Sequence, residues 1–229
     1  IYSYAFENCT ALESIEIPDS VTELGSRAFY NCTGLSEVSL PAGWTAVLDY
    51  SYNSATYYSE GNGSYQSPFQ GCTALTSVTV PEGVTAIGDT AFALCTGLTE
   101  ITLPKNLKTI GNFAFKGCTA LATVIFGTGD LQIEAYAFEN CTSLESFDFG
   151  KRNTVLEVGT HVFNNCTSLT SITVAEGNEN FKSIDGNLYS KDGKTLIKYA
   201  VGKTDTSFLI PNSVTHIGDD AFWNCTSLT

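Results

Sequence analysis

The segment Val80–Pro104, VPEGVTAIGDTAFALCTGLTEITLP, decides the fold because its pattern recurs along the chain. Ile17–Pro41, IPDSVTELGSRAFYNCTGLSEVSLP, matches it at most positions. In every copy a phenylalanine stands three residues before a cysteine, and a leucine stands three residues after it. The cysteines fall at positions 9, 32, 72, 95, 118, 141, 166 and 225, so the gaps are 23, 40, 23, 23, 23, 25 and 59 residues. A unit of 23 residues repeated in this way predicts a solenoid of stacked coils.

The apolar spacing within one copy assigns its secondary structure. The pattern Leu-x-x-Val-x-Val in Leu75–Val80 is typical of a leucine-rich repeat, with one short strand per coil. Because side chains alternate along a strand, Ser77 and Thr79 should face outward. Proline follows as Pro81 and ends the strand. The segment Val84–Cys95 should return across the other face, and its DTAF sequence suits one turn of helix.

The cysteines occupy one fixed position in each coil. Inward side chains at the ~4.8 Å spacing of neighbouring strands lie farther apart than the ~3.5–4.5 Å between the Cβ atoms of a disulfide. We therefore expect buried free thiols that act as small apolar side chains. Disulfide bonding and a metal or catalytic role remain the alternatives.

The two quoted segments resemble the BspA-like, or Treponema pallidum-type, leucine-rich repeats of bacterial surface antigens. Phe181–Lys203, FKSIDGNLYSKDGKTLIKYAVGK, also resembles an insert that recurs in that family. The resemblance implies an α/β fold: a right-handed solenoid with a parallel β-sheet on the concave face, about 23 residues per coil and short helical turns on the return side. It further implies an extracellular protein at the bacterial cell surface or secreted, some of whose relatives bind matrix or plasma proteins of a host.

We predict that residues 1–229 form a single solenoid, a fragment of a longer array, with two insertions. The first insertion, residues 48–67, is rich in tyrosine among serine, glycine and asparagine. Tyrosine offers a large, rigid contact area with a polar tip, which suits recognition of a partner. The alternative is a loop that packs on its own tyrosines. The candidate binding residues here are Tyr50, Tyr52, Tyr57, Tyr58 and Tyr65.

The second insertion, residues 178–207, carries two Asp-Gly turn signals. They predict a small antiparallel meander with strands at Lys182–Ile184, Leu188–Ser190 and Thr195–Tyr199. Its basic residues are Lys182, Lys191, Lys194, Lys198 and Lys203. A lysine-rich edge usually prevents strand-to-strand aggregation, and a site for an anionic ligand is the alternative.

The outward residues of the predicted strands form two columns rich in hydroxyl and carboxylate groups. Solenoids use concave sheets as extended binding surfaces, whereas strand propensity and solubility alone would also favour such residues. The first column contains Ser14, Glu37, Ser77, Glu100, Thr123, Ser146 and Ser171, and the second contains Glu16, Ser39, Thr79, Thr102, Ile125, Asp148 and Thr173.

Charge and motifs exclude several function classes. The net charge of −13 disfavours nucleic acid and anionic membranes as partners, and no apolar run is long enough for membrane insertion. The sequence shows no phosphate-binding glycine loop or metal-ligand motif, so we expect no cofactor and no metal. His161 and His216 lie in different coils, and nothing in the sequence pairs either with a nucleophile.

We therefore expect a non-enzymatic module for adhesion or protein binding. Its partner would be a host extracellular-matrix or plasma protein, or a surface glycan. The alternative is a passive stalk that displays another domain of a larger surface protein.

Overall fold

The computed structural model describes residues 1–47, 67–150 and 155–229, and in these residues the chain coils into short, stacked strands. In chain order the strands are β1 (Ser14–Glu16), β2 (Glu37–Ser39), β3 (Ala46–Val47), β4 (Ser77–Thr79), β5 (Ala86–Ile87), β6 (Glu100–Thr102), β7 (Thr109–Ile110), β8 (Thr123–Ile125), β9 (Leu131–Ile133), β10 (Ser146–Asp148), β11 (Val155–Val158), β12 (Ser171–Thr173), β13 (Phe181–Ile184), β14 (Asn187–Ser190), β15 (Thr195–Lys198) and β16 (His216–Ile217).

The predicted parallel strands form the first sheet. Its order is β1-β2-β4-β6-β8, followed by the separate pair β10-β12. The central residue of each strand points inward, as with Val78 between the exposed Ser77 and Thr79. The alternation read from the sequence is therefore confirmed.

A second parallel sheet, which the sequence analysis did not predict, lies on the return side. Its order is β11-β9-β7-β5-β3. Its strands β5, β7, β9 and β11 contribute apolar side chains to the core, such as the buried Ile87 and Ile110, which pair in register. Each regular coil in this part of the array thus adds one strand to each of two sheets.

The helical turns predicted on the return side are absent from the residues that the structure describes. The N–H of Thr90 donates to the carbonyl of Asn112 in the next coil at 2.8 Å, whereas the N–H of Ala93 donates to Thr90 in its own coil at 3.0 Å. Thr90 and Leu94 also have positive φ angles of 55° and 61°. A right-handed helix requires negative φ and bonds within one segment, so the chain makes successive turns instead.

Phenylalanine rings stack continuously through the core. The rings of consecutive copies from Phe6 to Phe163 have centroids 5.0 to 6.3 Å apart and lie within 16° of parallel. Phe115, for example, is fully buried between Phe92 and Phe138. Each coil therefore buries its apolar side chains against two neighbours, as a solenoid requires.

All eight cysteines are free, and the six from Cys32 to Cys166 are buried. Each of these six thiols donates to the carbonyl of the phenylalanine in the preceding coil, at Sγ–O distances of 3.0 to 3.3 Å. The expected burial fails at two positions: Cys9 is exposed and Cys225 is half-buried. Both lie in terminal coils of the described array, where neighbouring coils cover the side chain less completely.

The second insertion forms the predicted antiparallel meander. Strand β13 pairs with β14, and β14 pairs with β15, both antiparallel. Beyond the prediction, β15 then pairs in parallel with β16 of the last coil. The meander is thus joined to the stacked coils by backbone hydrogen bonds.

The end of the meander replaces one turn of the solenoid. The N–H of Tyr199 donates to the carbonyl of Ala221 at 2.9 Å. In a regular coil, the N–H of Phe92 makes the equivalent bond to the carbonyl of Ala114, at 2.8 Å. Tyr199 therefore occupies the place of a core phenylalanine. We call residues 193–203 the irregular coil, which lies between the copies of Cys166 and Cys225.

Candidate functional site

The first sheet carries the two predicted columns on its outer face. Backbone pairing aligns the first column, as in Ser14 opposite Glu37 and Glu37 opposite Ser77, and it aligns the second column in the same way. Column residues in neighbouring paired strands are therefore about 4.8 Å apart. The side chains are exposed from β1 to β10 and half-buried in β12. We call these fourteen residues the strand face.

The strand face is acidic. It carries the carboxylates of Glu16, Glu37, Glu100 and Asp148 and no lysine or arginine, and Ile125 is its one large apolar side chain, 46% exposed. Asp148 accepts hydrogen bonds from its neighbours, the hydroxyl of Thr173 and a backbone N–H, both at 2.9 Å. The remaining exposed groups are mostly hydroxyls. Such a surface can bind cationic or hydrogen-bonding groups of a partner at a regular spacing.

A neighbouring column of hydroxyls makes hydrogen bonds within the solenoid. The hydroxyls of Ser36, Thr76 and Thr99 each donate to a carbonyl of the preceding coil, at 3.1, 3.3 and 3.5 Å. These hydroxyls bridge adjacent coils. Apart from the Thr173 hydroxyl, which donates to Asp148, the hydroxyls of the strand face make no such bridge among the described residues.

The tyrosines of the first insertion, Tyr50, Tyr52, Tyr57, Tyr58 and Tyr65, lie outside the described residues. The last residue of that insertion, Ser67, is described. It is buried, and its hydroxyl donates to the carbonyl of Ala91 at 2.8 Å. Ser67 therefore belongs to the core of the solenoid.

The sequence suggested that the lysines of the meander lie along an exposed edge, but only some of them do. Lys191 and Lys194 are exposed, and Lys182 and Lys203 are half-buried. Lys198, by contrast, is only 7% exposed. The expectation of an exposed lysine row is wrong for Lys198, because its strand enters the stacked coils.

Lys198 stands where the regular coils have a core alanine. It directly precedes Tyr199, as the fully buried Ala91 precedes Phe92. A long, charged side chain in this place must find polar partners or remain unpaired at a cost in free energy. The neighbouring coils supply such partners for the Lys198 side chain.

A cleft of about 160 Å³ lies beside Lys198, between β11 and β15. Among the residues that the structure describes, β11 pairs with β9 alone, and β15 pairs with β14 and β16, so these return strands share no ladder hydrogen bond across the gap. The cleft is lined by His161, Lys198, Asp219 and Asp220 together with apolar residues of the two neighbouring coils.

Polar contacts connect three successive coils at this cleft. The Lys198 ammonium donates to Asn164 Oδ1 at 3.0 Å and to the Asp220 carbonyl at 2.7 Å. The Nε2 atom of His161 lies 2.5 Å from Asp220 Oδ2. The His161 ring also stacks on Tyr136, with centroids 4.6 Å apart. Burial lowers the pKa of Lys198, and the nearby Asp220 partly opposes this shift.

This cluster was missed by the sequence analysis, which found no partner for His161. His161 and Asp220 are 59 residues apart, and the intervening meander hides their equivalent positions in the repeat. The sequence offered one signal of this cluster, because the end of the meander matches the return segment of a regular copy. Within the described residues, no group of three or more histidine, cysteine or carboxylate side chains could hold a metal ion. Nor does any helix in the described parts have the length and apolarity to cross a membrane.

Comparison with known proteins identifies the repeat. The family model for the BspA type leucine rich repeat region matches six copies, over residues 1–62, 64–194 and 200–229. No curated relative matches the chain.

Two solved structures share the fold along most of the chain. The chain is similar to a leucine rich cell surface protein from Faecalibacterium prausnitzii, with 30% identity and a TM-score of 0.73, over 100% of this chain and 63% of that one. It is also similar to the pneumococcal vaccine antigen PcpA, with 26% identity and a TM-score of 0.61, over 92% of this chain and 42% of that one. The chain thus spans less than two thirds of either protein. With the family model matching nearly every residue, the chain belongs to the BspA-type leucine-rich repeat family.

Proposed function

We propose that this chain is a non-enzymatic protein-binding module of a bacterial cell-surface protein, and that its strand face contacts the partner. The observation that carries the proposal is the regular, exposed array of hydroxyl and carboxylate groups on the first sheet. The similarity to a protein named as a cell surface protein supports the location.

The charge of the strand face favours partners with basic or hydrogen-bonding surfaces. Its exposed carboxylates give weak individual contacts, because each is solvated and screened by salt. Repetition along the sheet lets several such contacts act on one extended partner. Extracellular-matrix proteins, plasma proteins and surface glycans of a host are the partners we propose. The tyrosine-rich insertion at residues 48–67 would supply aromatic anchors, a residue type enriched where interfaces gain most of their binding energy.

The test begins with a screen of the purified chain against immobilised matrix proteins, plasma proteins and glycans. The triple variant Glu16→Lys, Glu37→Lys and Glu100→Lys then reverses exposed charges on the strand face. Asp148 is left unchanged because it bonds to its own coil neighbours. The matched control, Glu23→Lys, Glu82→Lys and Glu179→Lys, changes the same charge at exposed positions outside the strand face.

We expect the strand-face variant to weaken binding by at least about tenfold, which corresponds to ~1.4 kcal/mol, and the control to leave it nearly unchanged. Deletion of residues 48–66, which keeps the buried Ser67 and its bond to Ala91, measures the contribution of the tyrosine loop. Circular dichroism checks the fold of each variant. Equal losses in the strand-face and control variants would refute the assignment of the surface. A chain that binds nothing in the screen would instead favour the passive stalk.

A further inference from the structure

The cleft beside Lys198 has the elements of a binding site for a small anion. Lys198 is buried, and the ammonium form of its side chain carries three hydrogens. Two of them donate to Asn164 and to the Asp220 carbonyl. No other acceptor for the third hydrogen is found among the described residues, and Lys198 lines the cleft.

The charges around Lys198 leave it without a contacting counter-ion. Asp220 is the carboxylate that interacts with it electrostatically, but the Asp220 carboxylate contacts His161 instead. The other titratable neighbours, Cys166 and Cys225, have thiol pKa values raised by burial, so both thiols are neutral at physiological pH. In the part of the chain that the structure describes, no carboxylate oxygen lies within 4.0 Å of the Lys198 nitrogen.

A second group in the cleft also lacks a partner. The Nδ1 atom of His161 is buried and has no hydrogen-bond partner within the described ranges. Buried polar atoms are normally hydrogen-bonded. His161 and Lys198 both line the same cleft of about 160 Å³, and the Asp220 carboxylate contacts His161 rather than Lys198. A single water needs only ~10–15 Å³, so the cleft can hold a group of several heavy atoms.

We propose that this cleft binds a carboxylate group, held by Lys198. An oxygen of such a group can accept the third hydrogen of the Lys198 ammonium, and a charge-assisted bond of this kind is stronger than a neutral one. A dianion such as phosphate fits less well, because Asp219 and Asp220 border the same cleft. The carboxylate is either that of a small free acid or that of an acidic sugar. The site is separate from the strand face and does not depend on its function.

The first experiment follows the lysine side chains of the wild-type protein by NMR after ¹³C labelling of lysine. Acetate is the probe for a small free acid, and glucuronate is the probe for an acidic sugar. Acetamide, which has nearly the same shape but no charge, is the matched control ligand. We expect a saturable shift of the Lys198 Cε–Hε signal with acetate, glucuronate or both, and none with acetamide or at the exposed Lys191.

The second experiment replaces the cation. Lys198→Met keeps the length of the side chain and removes its charge, and we expect it to weaken carboxylate binding by at least about tenfold. Lys191→Met is the matched control from the same meander and should not change the affinity. Phosphate, added as a third probe, should bind more weakly than acetate. The proposal is overturned if wild-type Lys198 shows no saturable shift with either carboxylate, or if acetamide shifts it equally. If Lys198→Met does not fold, the titration of the wild-type protein still tests carboxylate binding by itself.

Discussion

Removing one ring from the phenylalanine stack tests the core directly, and Phe115→Ala is the sharpest such change. Phe115 is fully buried, and its ring lies 5.7 Å from that of Phe92 and 5.1 Å from that of Phe138. Replacing a buried phenylalanine with alanine usually costs ~3–5 kcal/mol. The loss of two ring contacts, at ~0.5–1.5 kcal/mol each, places the expected cost in the upper part of that range, at about 4–5 kcal/mol.

The matched control is Phe113→Ala in the same coil. The Phe113 ring is only half-buried and stacks on Tyr136 at 4.8 Å. With less apolar surface removed from the core, we expect a loss of about 1–2 kcal/mol. The two variants thus differ in burial while the residue type, the coil and the substitution remain the same.

Guanidinium unfolding followed by fluorescence and circular dichroism measures both effects. Trp44 is buried and reports on the coils before Phe115, and a Trp223→Phe background makes it the sole tryptophan. Because coils contact only their neighbours, we expect Phe115→Ala to separate the Trp44 transition from the overall loss of strand signal. A loss under about 1 kcal/mol, or one no larger than that of Phe113→Ala, would refute the role of the stack.

Three further predictions follow from the coil geometry and the buried thiols. Gly111→Ala should destabilise the fold by about 1–3 kcal/mol in urea unfolding, because the added Cβ would lie 2.7 Å from the Asp89 backbone nitrogen. Gly43→Ala is the control and should cost far less, because its added Cβ would meet no heavy atom of the described residues within 4 Å beyond the adjoining chain. In the folded protein a thiol reagent should modify Cys9 fully and Cys225 partly, and all eight cysteines should react in denaturant; rapid reaction of the six buried thiols would contradict the structure. Burial raises the pKa of Cys118 from 9.0 to about 12, so the folded state holds this proton longer than the unfolded state. The resulting stability is present below pH 9 and is lost as the pH rises toward 12. Unfolding from about pH 7 to about pH 10.5, which crosses the unfolded thiol pKa of 9.0, should therefore show a smaller pH-dependent loss for Cys118→Ala than for the wild type. Equal slopes would count against a buried neutral thiol.

The repeat made the first sheet and the core predictable from the sequence. Leucine, phenylalanine and cysteine recur at fixed positions, so one inward orientation accounts for every copy. The second sheet could not be predicted in the same way, because strands such as Thr109–Ile110 are too short to show an alternating pattern. Nothing in the sequence indicated that the return segments lack helical turns. Thr90 and Leu94 adopt positive φ angles, although neither residue type favours this conformation.

The irregular coil escaped prediction because its sequence keeps the positions of the repeat but not its residue types. Tyr199 replaces the phenylalanine, Lys198 replaces the alanine, and no cysteine follows at the usual spacing. Backbone pairing with β16 nevertheless holds this segment in line with the other coils. Sequence signals identified the meander turns correctly, whereas the role of its last strand depends on contacts with residues that follow it in the chain.

Lys198 also ties three coils together, and this second role can be separated from carboxylate binding. Its ammonium joins Asn164 of the preceding coil to the Asp220 carbonyl of the following one. A buried charge is an expensive way to make such a link, since an apolar side chain of similar size is often as stable or more so. A structural tie alone therefore gives little reason for a lysine at this position. If Lys198→Met retains the stability of the wild type but loses carboxylate affinity, the lysine contributes to ligand binding rather than to folding. If stability falls and wild-type Lys198 does not respond to acetate or glucuronate, the structural tie is its only role.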